Sequence, residues 1–176
     1  SCDLSGTLVS SLNNGGNGKN FAVFGGSQCV NIPMGCTACD HIVDQMLPIC
    51  TWGTEYILPR LATKSFDVFR FIASQNNTSV VVNGGAPFNL NAGQFLDQQL
   101  NAGSHVVASK PISVTQYCTG STCDGVNSDP FEMVLSPTLQ VIDDIVFDAF
   151  TTPTITSTYV NIVTETSNIN NVVLDG

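Results

Sequence analysis

Val68-Phe69-Arg70-Phe71-Ile72-Ala73, then Ser79-Val80-Val81-Val82-Asn83-Gly84, then Phe88-Asn89-Leu90: this stretch decides the fold. Its runs are short and rich in β-branched and aromatic side chains, which suit a pleated, half-buried surface. The Asn83-Gly84 pair supplies the positive φ angles that a tight hairpin turn requires. Strand, turn, strand is therefore the local reading, and it extends in both directions. Upstream lie Leu8-Val9, Phe21 to Phe24 and Glu55 to Leu58. Downstream lie Phe95 to Leu100, His105 to Ala108, Ile112 to Tyr117 and Phe131 to Leu135. Val141 to Phe150 reads as a strand or one short helix, and Tyr159 to Val163 and Asn171 to Leu174 close the series. Many short strands with turn signals between them predict an all-β chain of antiparallel, sandwich-like sheets.

Composition agrees. Val, Ile and Thr number 47 of 176 residues, against three Glu and three Lys, so helix formers with charged heads are scarce. The chain is 43% apolar and only 11% charged, which opposes disorder. Its net charge is −9, and its five Lys and Arg residues are scattered along the chain. No basic patch is available to displace counterions from phosphates, so nucleic acid is excluded as a partner. No apolar run approaches the length that spans a bilayer, so this segment is expected to insert in no membrane. The absence of an initiator Met and of a signal peptide predicts a mature or trimmed product.

The chain also repeats itself. Gly6 to Ser11 matches Gly103 to Ala108, and Lys19-Asn20-Phe21-Ala22-Val23 matches Lys110-Pro111-Ile112-Ser113-Val114. The first copy carries an extra Gly/Asn loop at 13–18, easily tolerated on a surface. Cys39-Asp40 matches Cys123-Asp124, Pro48 matches Pro137, and Phe69 to Gly84 matches Tyr159 to Gly176. The period is about 90 residues. It predicts that 1–66 is the late part of one unit, 67–156 a complete unit and 157–176 the start of a third. The natural polypeptide is expected to continue in similar units. Fixed-period repeats can also stack as a propeller or solenoid, the alternative to sandwich-like units.

The repeated residues resemble a known family. Cys39 to Pro48 followed by Thr51 to Tyr56, the block Ala73 to Gly84, the block Leu90 to Tyr117 and the closing Asp129 to Pro137 are similar to the N-terminal domain of the IgG Fc-binding protein family. The resemblance covers nearly the whole chain. It implies a large secreted or surface-attached protein of adhesive or mucus-associated character, with no catalytic activity and no cofactor. It assigns no residue as an antibody contact, because fold-level analogy does not transfer a ligand.

Seven cysteines in a short polar chain point to disulfides in an oxidising compartment. The repeat suggests equivalent bridges Cys29–Cys39 and Cys118–Cys123, leaving Cys36 to pair with Cys50. Sequence alone leaves three pairings open among the cysteines from Cys29 to Cys50. Cys2 is left for a partner elsewhere, in the same polypeptide or another chain. A zinc site from Cys36, Cys39, Cys29 and Cys50 or His41 is the metal alternative, but a single C-x-x-C is a weak signal. Asp124, Asn127 and Asp129 offer oxygens for calcium, yet lack the regular spacing and terminal Glu of a calcium loop, so a solvated turn is preferred. Overlapping sequons at Asn76 and Asn77 fit an extracellular, N-glycosylated surface. His41 and His105 are the only histidines, with no nucleophile turn beside them, so both read as structural and no catalytic residue is assigned. Trp52, Phe69, Phe71 and Phe131 read as core anchors.

The sequence therefore predicts a non-catalytic extracellular structural or adhesion module. A specific recognition domain for an immunoglobulin, glycan or mucin, or a filament-forming subunit, are the alternatives. Partners are extracellular proteins or glycans, or further copies of the chain itself.

Overall fold

Ser104–Tyr117 (β8) is the strand on which the sheet is built. The computed structural model describes residues 3–12, 18–142, 144–149, 152–154 and 157–173. Two shorter strands lie end to end along each side of β8. On one side Asp67–Ala73 (β4) pairs with its second half and Thr78–Val82 (β5) with its first. On the other, Glu132–Val134 (β9) and Gly53–Leu58 (β3) do the same. Phe88–Leu90 (β6) flanks β5, and Phe95–Leu100 (β7) flanks β4. Every pairing is antiparallel. A separate ladder joins Phe24–Val30 (β1) to Asp40–Gln45 (β2). The all-β, antiparallel expectation is thus what the chain forms, as an open half-barrel sheet and not a closed propeller.

Lys110-Pro111 explains the division of β8. Proline cannot donate to a ladder and is normally kept out of central strands. Here it falls where the flanking strands break: β4 stops opposite Ile112, and the pairing of β5 begins with Val80 opposite Ala108. The Pro111 carbonyl still accepts from Ser74 N at 3.2 Å and Ser74 Oγ at 2.5 Å, so the gap is sealed. On the other side the β3 register shifts between Gly53 and Glu55. There the buried Tyr56 hydroxyl donates to Ile112 O at 2.6 Å and accepts from Gly53 N at 3.1 Å.

The core lies on one face of this curved sheet. Alternate residues supply it: Tyr56 and Leu58 from β3, Phe69 and Phe71 from β4, Val106, Ile112 and Val114 from β8. The Phe71 and Phe88 rings pack in a tilted arrangement, with centroids 5.7 Å apart and planes inclined at 59°. The Asn83-Gly84 turn forms as expected, with φ of 51° and 66° and Gly85 N bonded to Val82 O at 2.9 Å.

Other expected strands do not form. Residues 7–12, 18–23, 141–142, 144–149 and 157–165 lie outside strands. Phe150 and Leu174, expected to end two of those strands, fall outside the described residues. The physical reason is that an isolated strand has nothing to bond its backbone to. Sequence reasoning missed the β1–β2 ladder, because Gly25 and Gly26 mask the strand character of β1. By contact density the chain divides into Ser1–Val141, which holds all nine strands of the described residues, and Ile142–Gly176. The second unit is, in its described residues, extended chain plus one 3-10 segment, Thr166–Asn171. Strand pairing crosses the proposed repeat boundary at residue 66, because β3 and β4 share β8. The repeat phase itself is a separate, sequence-based proposal.

Asp67 is buried with Oδ1 unpartnered, while Oδ2 accepts from Leu61 N at 2.9 Å and Gln116 Nε2 at 3.3 Å. Burial pushes its carboxyl above the ordinary range, against those hydrogen bonds and the nearby Arg60 and Lys64 charges. A raised folded value means the stabilisation from its neutral form is full at low pH and lost as pH rises through that value. Asp67→Asn is therefore expected to stabilise the protein by about 1 kcal/mol at neutral pH, with the gain vanishing on acidification. Urea midpoints measured against pH check both the gain and its disappearance.

Candidate functional site

Two disulfides frame one end of the sheet. Cys29, in β1, is bonded to Cys39, just before β2, with Cα atoms 5.1 Å apart. Cys36 is bonded to Cys123, 87 positions away, with Cα atoms 5.3 Å apart. This corrects two expected pairs: Cys36 does not bond Cys50, and Cys118 does not bond Cys123. Cys50 is exposed and Cys118 buried, both as thiols. The cause is a close approach of two loops at Gly120. A Cβ there would lie 2.7 Å from Thr37 O and 3.2 Å from Cys36 O. Gly120 N donates to Ile32 O at 2.9 Å, and Thr37 N to Thr122 Oγ1 at 2.7 Å. Those contacts bring Cys36 opposite Cys123, while Cys118, at the end of β8, turns into the interior. Burial raises the Cys118 thiol, which leaves it protonated and inert. Cys2 lies outside the described residues. With Cys29, Cys36 and Cys39 consumed in disulfides, the zinc set with Cys50 or His41 is not assembled.

The Asp124 carboxylate, part of the calcium candidate, is engaged by a lysine. Lys64 Nζ donates to Asp124 Oδ1 at 2.9 Å and to Ser128 Oγ at 2.8 Å. The Lys64 and Asp124 side chains are only 2% and 4% exposed. Ser65 N and Val126 N complete the carboxylate's partners. Burial opposes ionisation of Asp124, but the Lys64 ammonium and the two backbone donors outweigh it and hold the carboxyl below its usual range. Asn127 and Asp129, the other two residues of the calcium candidate, are exposed. Among the described residues no group of three His, Cys, Asp or Glu is arranged to hold a metal.

The remaining sequence candidates are surface features. His105 Nε2 meets Glu55 Oε1 at 2.7 Å across β8 and β3, both about half exposed. His41 is exposed on β2. Asn76 and Asn77 are exposed on the β4–β5 turn; Asn76 Oδ1 accepts from Ala92 N at 3.1 Å, and Asn77 adopts a φ of 56°. Trp52 is half-buried, its Nε1 donating to Leu47 O at 3.1 Å. Phe131, expected in the core, is exposed, whereas Phe69 and Phe71 are fully buried.

The feature that sequence reasoning missed is a groove of about 190 Å³ beside β7. Ile32, Pro33 and Met34 form one wall; Val68, Gln98 and Tyr117 lie among the other lining residues. Pockets for drug-sized molecules are about 300 Å³ or more, so this one fits a side chain of a larger partner. Met34 is 96% exposed at its lip. Arg70 organises the adjoining surface. Its guanidinium grips Asp97 through Nε at 2.7 Å and Nη2 at 2.8 Å, and reaches Asp3 at 2.9 Å and Ser5 Oγ at 2.6 Å. It also lies 4.1 Å from the Phe95 ring centre and 5.9 Å from that of Tyr117. Burial works against the Arg70 charge, but Asp97 and Asp3 raise its affinity for the proton. Burial leads in pushing the Tyr117 hydroxyl up to about 12, so it stays a donor at physiological pH. One clue is present in the sequence: Arg70 is the single charge in an apolar run. Its partner Asp97 is 27 positions away, and only the β4–β7 register brings them opposite each other.

β7 is also the outermost strand on this side of the sheet, in the order β6-β5-β8-β4-β7. Two disulfides thus pin an antiparallel sheet that carries an apolar-walled groove beside its outermost strand. The chain belongs to the IgGFc binding protein family, which matches residues 1–176. It is 32% identical over 142 residues to the IgGFc-binding protein of Homo sapiens, which is 78% of this chain and 2% of that protein. The chain thus spans a small fraction of that relative's length. No solved structure matches it significantly. The family is one of binding proteins and not a known enzyme family. Among the described residues no helix is long and apolar enough to cross a membrane.

Proposed function

We propose that this chain is a non-catalytic extracellular adhesion module that holds a protein ligand in the groove beside β7. The observation that carries this reading is the join in one place of an apolar wall, a polar rim and a strand edge to which no other strand of the described residues is paired. Methionine at the lip adapts its shape to a partner, and Tyr and Arg are favoured anchors of protein interfaces. The Arg70–Asp97 clamp fixes the rim before binding, which lowers the ordering cost. An extended ligand segment can add to β7 through its main chain. The exposed sequons at Asn76 and Asn77 would carry glycans on another turn of the sheet.

The printed name of the human relative makes immunoglobulin Fc the first probe. Immobilised Fc is expected to capture the chain, and Met34→Asp to weaken capture about tenfold, or about 1.4 kcal/mol. The melting temperature should not move, because the Met34 side chain is almost wholly in solvent. Full-strength capture by the Met34 variant would place the contact elsewhere. Failure of the chain to bind Fc or mucin glycoproteins at all would remove the adhesive reading and favour a spacer role.

A further inference from the structure

We infer that the groove selects a basic ligand: an extended protein segment adds to β7 as a further strand and sets a lysine or arginine opposite Asp97. This rests on the reading of the groove as a protein-binding site and specifies the chemistry that the site takes.

The backbone of β7 sets the register. Ala73 N donates to Gln94 O at 3.1 Å, so Ala73 and Gln94 continue the β4–β7 ladder as a hydrogen-bonded pair. Hydrogen-bonded and open pairs alternate along an antiparallel ladder. Leu96 and Gln98 therefore spend their backbone groups on Phe71 and Phe69, whereas Phe95, Asp97 and Gln99 turn theirs away from β4. The same alternation places the side chains. Gln99 stands opposite Val68 and Asp97 opposite Arg70, on the face that also carries Tyr117. A strand bonded to the Asp97 and Gln99 backbone delivers alternate side chains onto that face, beside the groove.

Charge decides which side chain suits it. Asp97 is the one charged residue in the groove lining. Its side chain is 42% exposed, and each carboxylate oxygen takes one bond from Arg70, which leaves acceptor capacity on both. Arg70 is already committed, since each guanidinium nitrogen is bonded to Asp97, Asp3 or Ser5. Further carboxyls gather here. Glu132, Asp97 and Asp3 all act on the Tyr117 hydroxyl, against the Arg70 charge. Glu132 stands opposite Tyr117 across β8 and β9, with Oε1 buried and without a hydrogen-bond partner among the described residues. An anionic side chain is repelled by this surface, and an apolar one leaves its carboxylates without a counter-charge. A lysine or arginine suits both parts, because such side chains lay an aliphatic stem on apolar surface and keep a charged head outside it. The stem meets Ile32, Pro33 and Met34, and the head meets Asp97. Opposite charges directly across two strands attract.

The probes are short fluorescent peptides of alternating threonine and valine, alike except for a central lysine, norleucine or glutamate. Norleucine keeps the stem and removes the charge. In anisotropy titrations against the full chain, lysine is expected to bind about threefold tighter than norleucine, and glutamate weakest. Added salt should erase the advantage of lysine, because the charges are exposed. Amide hydrogen exchange should slow most at Phe95, Asp97 and Gln99, whose N–H groups face the added strand. Gln99 is exposed and lines the groove, so its charge can be changed without touching the core. Gln99→Glu should tighten the lysine peptide and Gln99→Lys loosen it, each about threefold, while the norleucine peptide and the melting curve stay unmoved. A lysine peptide that does not bind, equal binding of lysine and norleucine, Gln99 variants that shift the lysine peptide in the same direction, or protection that misses the β7 amides would each overturn the proposal. Capture by immobilised Fc alongside any of those results would remove this assignment alone and leave the adhesive reading standing.

Discussion

Replacing Cys36 and Cys123 together by serine is expected to lower stability by about 4.5 kcal/mol, the loop-closure entropy returned to the unfolded chain. The bridge spans 87 positions, against 10 for Cys29–Cys39. The same relation gives the shorter loop about 2.7 kcal/mol. The ranking is the distinctive part, because its origin is the unfolded chain and not any interaction within the folded one. The native loops keep Thr37 N on Thr122 Oγ1 and Gly120 N on Ile32 O without the bridge. The paired variant should therefore still fold. Its denaturant dependence should steepen, since an uncrosslinked chain exposes more surface on unfolding. A total stability of about 5–15 kcal/mol is typical, so this one bridge is a large share of it. Guanidinium unfolding of the two double variants, monitored without reductant, checks the order. An equal loss from both bridges would show that chain entropy is not what the long bridge supplies.

Much of the fold was legible because β-sheet signals are local. β-branched runs place β3 to β7, and Asn83-Gly84 announces its own turn with positive φ at both residues. The long β8 reads as two strands because Pro111 looks like a break; the sheet instead places its own gap there. The long-range features were not legible. Cys36 meets Cys123 because Gly120 lets two loops touch, and nothing in the spacing of cysteines encodes that approach. Arg70 with Asp97, and the groove beside them, exist only through the β4–β7 register. Leu8-Val9, Phe21 to Val23 and Tyr159 to Val163 are the instructive misses. Their residues favour strands, but a strand is stable only as one member of a ladder. Propensity tells what these segments are suited to, and the structure tells what they lack.

Lys64→Met is expected to cost about 3–5 kcal/mol, the penalty for leaving one member of a buried ion pair alone. The pair joins the segment before β4 to the loop after β8, 60 positions apart, and Ser128 Oγ takes a second proton of the same ammonium. Methionine fills a similar volume, so the loss is electrostatic and not a cavity. Restoring neutrality should restore stability: Lys64→Met combined with Asp124→Leu should recover much of the loss, since an apolar pair avoids the desolvation of both charges. Acid separates this account from a packing defect. In the wild-type protein the Asp124 carboxyl is held below its usual range, so its contribution is present above the unfolded value and lost as pH falls through the folded one. In Lys64→Met the same buried carboxylate has lost its ammonium, and protonation relieves it. The gap between variant and wild type should be widest at neutral pH and close below about pH 4, where carboxylates protonate in the unfolded chain. Urea midpoints for both proteins across that range decide it: a gap that does not change with pH would mean that Lys64 acts through its aliphatic stem alone.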